Sequence, residues 1–281
     1  MFGNCLEAGR FPTAWKKAKM VLLRKEGKPE GSPSAYRPSC LLDKVSKMLE
    51  RILAARLREH LSHEGPDLAD CQFGFRGGRS TVDAIRRVRA LSDEAVSRGK
   101  VVLAVSLDIV NAFNALPWEC IHQEFRFHRV PVYMQEVIRD YLRDRGICYP
   151  GRYGVTHRRG IHRGVPQGSV LGPLLWDLGY DWVLRGALLH ELGVVCYADD
   201  TLLLAWGDDW RSTTCLVEAG VAHLLGRIRS LGLRVAPQKT EVVWFAGPRV
   251  RGPPRGAQLT VEGVRVPIGT QMRYLGLILD S

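Results

Sequence analysis

The stretch VVCYADDTLLLAW, residues 194–206, wraps an apolar run around two adjacent acids, Asp199 and Asp200. Residues of this kind predict buried strand, where a carboxylate must be hydrogen-bonded, paired or bound to a metal, because an isolated buried charge is too costly. A second run, KVVLAVSLD at 100–108, has the unbroken apolar character of a strand covered on both faces and ends in Asp108. If the two strands are neighbours, three carboxylates meet at one sheet edge, and like charges that close require cations. Oxygen-only ligands favour Mg²⁺ or Mn²⁺, and two such ions can hold both the attacking and the leaving oxygen of a phosphoryl transfer. Taken singly, Asp199 and Asp200 also read as turn acids, and Asp108 as a cap for the helix beginning near residue 117. Two apolar strands each broken by acids favour the metal site.

The charge balance points the same way. Forty Lys and Arg against 29 Asp and Glu give a net +11, which suggests a polyanionic partner, with nucleic acid ahead of an anionic membrane surface. With 46% apolar residues over 281 positions, the chain has enough material for one large core or two modest ones, and disorder is excluded. The seven cysteines stand singly with no CxxC pair, which signals neither a zinc site nor a disulfide framework and predicts reduced, mostly buried thiols. No apolar stretch approaches the roughly 20 residues a membrane span needs, and MFGNCLEAGRF lacks the shape of a signal peptide. An intracellular protein is expected, with both ends cut from something longer.

Along the chain, helical and strand patterns alternate, which predicts an α/β or α+β arrangement. Asp43 is a fitting N-cap for a helix whose stripe is Val45, Met48, Leu49, Ile52, Leu53, Leu57 and Leu61. Ser80 or Thr81 caps the next, with Asp83 in its first turn, an apolar stripe of Val82, Ile85, Val88 and Leu91, and Arg86, Arg87 and Arg89 exposed beside it. Pro117 suits the first turn of a third helix. Residues 149–176 read as a basic hairpin leading through glycine-bounded turns into an apolar helix, and Gly232 closes a helix carrying Val217, Val221, Leu224, Leu225, Ile228 and Leu231. GPRVRGPPRG at 247–256 is the linker candidate. His60 and His63 lack a third ligand for metal and read as exposed polar residues. Trp15, Trp118, Trp176, Trp182 and Trp244 fall on apolar stripes and read as core.

Seven blocks, AYRPSCLLDKVSKMLERIL, QFGFRGGRST, SLDIVNAFNALPW, GVPQGSVLGPLLW, YADD, LGLRVAPQKTE and MRYLGLILD, occur in one order along nearly the whole chain. In wording and order they resemble the reverse transcriptase motifs of non-LTR (LINE-type) retrotransposons, and FNALPW with GPLLWDLGYDWVLRG is most similar to the Pol polyprotein of type I ribosomal-DNA-inserting elements of insects. The resemblance implies an α+β right-hand polymerase: fingers over residues 1–95, a palm of antiparallel sheet backed by helices over 96–247, and a linker with a primer-grip strand near 272 to 279 within 248–281. The thumb would be missing.

On that match Asp108, Asp199 and Asp200 are the catalytic acids and metal ligands, joined by the backbone carbonyl of Ile109, for two Mg²⁺ ions or Mn²⁺ in their place. Phe113 matches the gate that crowds a ribose 2′-hydroxyl. Gln167 and Gly168 match the loop touching incoming nucleotide and template. Arg37 matches the triphosphate grip, assisted by Lys25 or Lys28, since a guanidinium fork binds phosphate oxygens bidentately. Lys239 matches the lysine that protonates the leaving pyrophosphate. Arg158, Arg159 and Arg163 would follow nucleic-acid backbone without sequence choice. Gly77 stands where the family usually has Pro and Ser39 where it commonly has Ile; neither removes a catalytic atom.

The activity implied is RNA-directed DNA polymerisation during target-primed retrotransposition. Its partners would be an RNA template, a DNA primer or nicked target DNA, and dNTPs, with no membrane, nuclear work, and an endonuclease and thumb elsewhere in a polyprotein. An intron-encoded reverse transcriptase, an inactive RNA-binding remnant of the same fold and a plain basic interaction module are the competing readings.

Overall fold

The computed structural model describes every residue except Met1, Lys28, Glu30, Pro33, Ser34, Arg152, Gly154, Arg249 and Ser281. In chain order its elements are α1 (Phe2–Glu7), β1 (Lys17–Arg24), β2 (Tyr36–Leu41), α2 (Lys44–His63), α3 (Thr81–Ser97), β3 (Val101–Leu107), α4 (Ala112–Ala115), α5 (Trp118–Phe127), α6 (Val132–Leu142), β4 (Arg145–Pro150) and β5 (Thr156–Ile161). Then follow α7 (Gly172–Leu184), β6 (Leu192–Tyr197), β7 (Asp200–Gly207), α8 (Trp210–Ser230), β8 (Val242–Phe245), β9 (Gln258–Val261), β10 (Val264–Gly269), β11 (Gln271–Tyr274) and β12 (Leu277–Asp280). The α+β mixture is the expected class. The chain forms two compact units, Met1–Leu68 with Phe113–Gly179, and Ala69–Ala112 with Tyr180–Ser281.

The first unit carries a four-stranded sheet in the order β2-β1-β4-β5. The hairpin-like basic stretch expected from residue 149 is the second half of the β4–β5 pair, whose first strand begins earlier, at Arg145; Arg158 and Arg159 are exposed on β5. Asp43 caps α2 through Oδ1, which accepts from the Val45 and Ser46 amides at 2.7 and 3.3 Å. The buried stripe of α2 holds Leu49, Leu53, Leu57 and Leu61 as expected, but Met48 is 51% exposed and Val45 also faces solvent. The inward face is rotated because Glu50 and His60 occupy it. His60 corrects the sequence reading: it is buried, its Nε2 donates to the His128 carbonyl at 2.8 Å, and Nδ1 faces the Glu64 carboxylate at 3.1 Å. Sequence spacing cannot separate a polar residue that faces water from one with a buried partner.

The second unit is built on a six-stranded sheet in the order β6-β7-β3-β8-β10-β9. β3 and β7 are antiparallel over seven pairs from Val101↔Gly207 to Leu107↔Thr201. Both strands are apolar at consecutive positions because helices cover both faces. Ala84, Val88 and Ala95 of α3 join a cluster with Val102, Ala104, Leu202 and Leu204, while the alternate residue Leu203 meets Gly220 of α8 on the other face. Ser80 caps α3 in a reciprocal capping box with Asp83. Val82, expected in the stripe, is 51% exposed, since the buried face of α3 is the one on which Ala84, Val88, Ser92 and Ala95 recur, and Val82 is out of phase with it.

Three further expectations change. The run near 272 to 279 is a hairpin of β11 and β12 turning at Leu275 and Gly276, both at positive φ, and not one strand. Segment 247–256 joins β8 to β9 within the second unit, and Trp210 Nε1 donates to its Arg251 carbonyl at 3.0 Å. Of the cysteines, all free, only Cys120 and Cys196 are fully buried, and of the tryptophans named above only Trp176 is. Among the described residues no helix is long and apolar enough to cross a membrane.

Leu204→Ala, which empties space at the centre of the α3-covered face, is expected to lower stability in urea unfolding by about 3 kcal/mol. Val82→Thr should change it by less than about 0.5 kcal/mol. Equal losses would place Val82 in the core after all.

Candidate active site

The acids meet as the strand run predicted. β6 and β7 pair from Leu192↔Ala205 to Tyr197↔Asp200, which leaves Ala198 and Asp199 as a two-residue turn. One step beyond the Leu107↔Thr201 pair, Asp108 faces Asp200 across the β3–β7 ladder. Past Asp108 the chain pairs with 234–236: the Ala236 amide donates to the Asp108 carbonyl at 2.8 Å and the Val110 amide to the Arg234 carbonyl at 2.8 Å. In extended backbone successive carbonyls alternate, so the Ile109 carbonyl points away from this segment and toward the β7 side. The same pairing delivers the 3-10 turn Pro237–Lys239, whose Lys239 Nζ sits 2.9 and 3.1 Å from the two Asp108 carboxylate oxygens.

Asp199 shows the electrostatic consequence. Desolvation first, then the charges of Asp200 and Asp108, push its carboxyl from 3.8 up to about 6, against a lowering pull from Lys239. Asp200 is raised by desolvation and by Asp108. An open cleft of about 270 Å³ beside them is lined by Ser106, Asp108, Asp200, Lys239, Glu241 and Arg273. Among the described residues the three carboxylates are neighbours and do not form one closed ligand shell; the Lys239 ammonium takes Asp108 instead. A set of oxygen donors that repel one another and already attract a cation fits a hard divalent ion.

Because Asp199 binds its proton more tightly folded than unfolded, its contribution to stability is full below about pH 3.8 and is lost as pH rises through about 6. In the metal-free protein, Asp199→Asn should therefore stabilise the fold at pH 7.5 and not at pH 3.5, read by urea unfolding at both values. A gain of equal size at the two pH values would contradict the shifted carboxyl.

Other residues singled out in the sequence belong to the first unit. Arg37, paired with Leu23, and Lys25 are exposed on the β1–β2 hairpin; Lys28 lies outside the described residues. Phe113 in α4 is half-buried, its ring centroid 5.2 Å from that of Trp176. The Gln167 carbonyl accepts the Cys40 amide at 2.8 Å, which ties the PQG loop to the end of β2. Gly168 has φ +104, and a Cβ there would lie 2.7 Å from the Cys40 carbonyl oxygen, so both conformation and space demand glycine.

Glu50, unnoticed in the sequence, holds this loop from α2. Its buried Oε2 accepts the Val170 and Leu171 amides at 2.7 and 3.1 Å, just before α7, and Oε1 accepts the Ser46 hydroxyl at 3.1 Å. A carboxylate suits a helix N-terminus whose amides lack intrahelical acceptors. Glu50→Ala, which strands one buried and one part-buried donor, should cost about 3 kcal/mol in urea unfolding. A cost below about 1 kcal/mol would show that water replaces it.

The model of the family described as reverse transcriptase (RNA-dependent DNA polymerase) matches residues 23–279. A Drosophila melanogaster protein named "Probable RNA-directed DNA polymerase from transposon BS" is 35% identical over 100% of this chain and 31% of its own length. The retrovirus-related Pol polyprotein of type-1 retrotransposable element R1 from Bradysia coprophila is 28% identical over 99% of this chain and 27% of its own. The chain thus spans roughly a third or less of these relatives. Among solved structures, apo telomerase from Candida tropicalis truncated from its C-terminal domain aligns with a TM-score of 0.65 at 12% identity, over 95% of this chain and 54% of that one, a likeness of fold alone. The family match across almost the whole length, with its acids on adjoining strands, makes this chain a member of the reverse transcriptase family.

Proposed function

We propose that this chain is the fingers and palm of a non-LTR retrotransposon's RNA-directed DNA polymerase. Residues 1–95 would be fingers and 96–247 palm, with the primer grip carried within 248–281. In the reaction proposed, a DNA primer's 3′-hydroxyl attacks the α-phosphate of a deoxynucleoside triphosphate opposite an RNA template, and pyrophosphate leaves. The observation that carries this is the convergence of Asp108, Asp199 and Asp200 on the adjoining strands β3 and β7 and the turn between β6 and β7, in a chain of this family.

Each residue has a role suited to its chemistry. Asp108, Asp199, Asp200 and the Ile109 carbonyl would hold two divalent ions, Mg²⁺ or Mn²⁺. When bound, those ions stabilise charge on the attacking and leaving oxygens. The Lys239 ammonium, 2.9 Å from Asp108 Oδ1, neutralises that carboxylate; with a cation there instead, it would give a proton to pyrophosphate. Arg37 and Lys25 suit the triphosphate, Phe113 the sugar, and Gln167 with Gly168 the nascent base pair. The exposed Arg158, Arg159 and Arg163 suit phosphate backbone, with affinity that falls as salt rises. In the intact element the primer would be nicked target DNA in the nucleus, with the endonuclease and thumb supplied by other parts of the polyprotein.

The test is extension of a DNA primer on an RNA template with Mg²⁺ and dNTPs. The parent chain should extend it, and Asp199→Asn should reduce the rate at least about a hundredfold. Extension that survives the substitution undiminished would overturn the assignment.

A further inference from the structure

Asp199 is carried by a turn that the backbone itself resists. Ala198, immediately before it, has φ +60, a region that costs a residue with a side chain roughly 1–2 kcal/mol. The neighbouring carboxylates add a repulsion that pushes Asp199 out of place. Something must hold the turn.

The restraint comes from residues 71–74, which run beside β6 in the same unit. The Cys196 amide donates to the Cys71 carbonyl at 2.8 Å and the Phe73 amide to the Cys196 carbonyl at 2.7 Å. The side chain of Gln72, 1% exposed, continues past the end of the strand. Its Oε1 accepts the Ala198 amide and the Gly74 amide, each at 2.9 Å. Its Nε2 donates to the Ala198 carbonyl at 3.2 Å and lies 3.5 Å from Cys196 Sγ. One carboxamide therefore takes both backbone polar groups of the strained residue, as a further β-strand would. Gly74 makes the approach feasible, since a Cβ there would lie 2.2 Å from the Ala198 nitrogen.

We propose that Gln72 is the positioning residue of the acid turn: its carboxamide fixes Ala198 in the left-handed region and so presents the Asp199 carboxylate to a divalent cation. This deepens the polymerase reading and rests on its metal assignment. The opposing account, a core glutamine that only satisfies nearby backbone, predicts the same loss of stability on substitution but no dependence on the conformation of residue 198.

The two accounts separate in Gln72→Met, which keeps length and loses the hydrogen bonds, measured alone and with Ala198→Gly. Glycine enters positive φ without penalty, so the turn then needs its restraint less. Mn²⁺ binding, followed by electron paramagnetic resonance, is read beside primer extension and thermal melting. Gln72→Met should weaken Mn²⁺ binding about tenfold and raise the Mg²⁺ needed for half-maximal extension by a like factor, with a smaller change in KM for dNTP. Adding Ala198→Gly should recover most of the metal affinity. Equal losses in single and double variants, or unchanged Mn²⁺ affinity in a folded Gln72→Met, would overturn the proposal. If Gln72→Met does not fold, Gln72→Asn, polar but one methylene too short to reach the turn, carries the same expectations. A parent that binds Mn²⁺ through Asp199 yet extends no primer would sink the polymerase reading and leave the restraint to be decided by the binding data. A parent with no such binding would overturn both.

Discussion

Three carboxylates that repel one another must be held at one edge of a sheet, and much of the second unit serves that constraint. A mobile edge would let the charges separate, because the interaction falls with distance while water competes for each oxygen. β3 and β7 resist this by seven ladder pairs and by burial on both faces, with α3 on one side and α8 on the other. The dense packing of Val102, Leu103, Leu203 and Leu204 is thus also what keeps the acids together.

Neutralisation and restraint divide the remaining work. Lys239 reaches Asp108 because the 234–236 segment extends the sheet past the end of β3 and aims the following turn. Backbone strain flanks the acids on both strands: Ala198 precedes Asp199, and Asn111, three residues after Asp108, has φ +53. Such strain persists where the surroundings over-determine the backbone. At Ala198 those surroundings are the Gln72 carboxamide and the close approach of Gly74. The first unit restrains its PQG loop by the same kind of device, with the buried Glu50 carboxylate on the Val170 and Leu171 amides in place of an amide on a turn.

The sequence made legible what rests on local pattern. Apolar runs interrupted by acids located β3, β6, β7 and their carboxylates, and Asp43 and Ser80 announced their helices because a cap bonds within three residues of itself. Polar groups whose partners lie far along the chain were not legible. Glu50 bonds to amides 120 residues away, His60 to a carbonyl 68 away and Gln72 to a turn 126 away. In the sequence each looks like a solvated polar residue. The β11–β12 hairpin was missed for a related reason, since its turn places Leu275 at φ +48, where leucine is not expected.

The two kinds of feature meet at Asp199. Its type and place in a strand run suffice to suggest a metal ligand, but its raised carboxyl follows from burial and from Asp200 and Asp108 together. Charge and strain both oppose the metal-free arrangement, whereas the ladder and the Gln72 hydrogen bonds support it. A divalent cation would remove the repulsive contribution without altering the others. The protein fold therefore sustains part of the unfavourable energy of the site before a cation arrives, and binding returns it as affinity. That preorganisation accounts for the buried β3–β7 ladder beneath the acids and for the two Gln72 hydrogen bonds that hold Ala198.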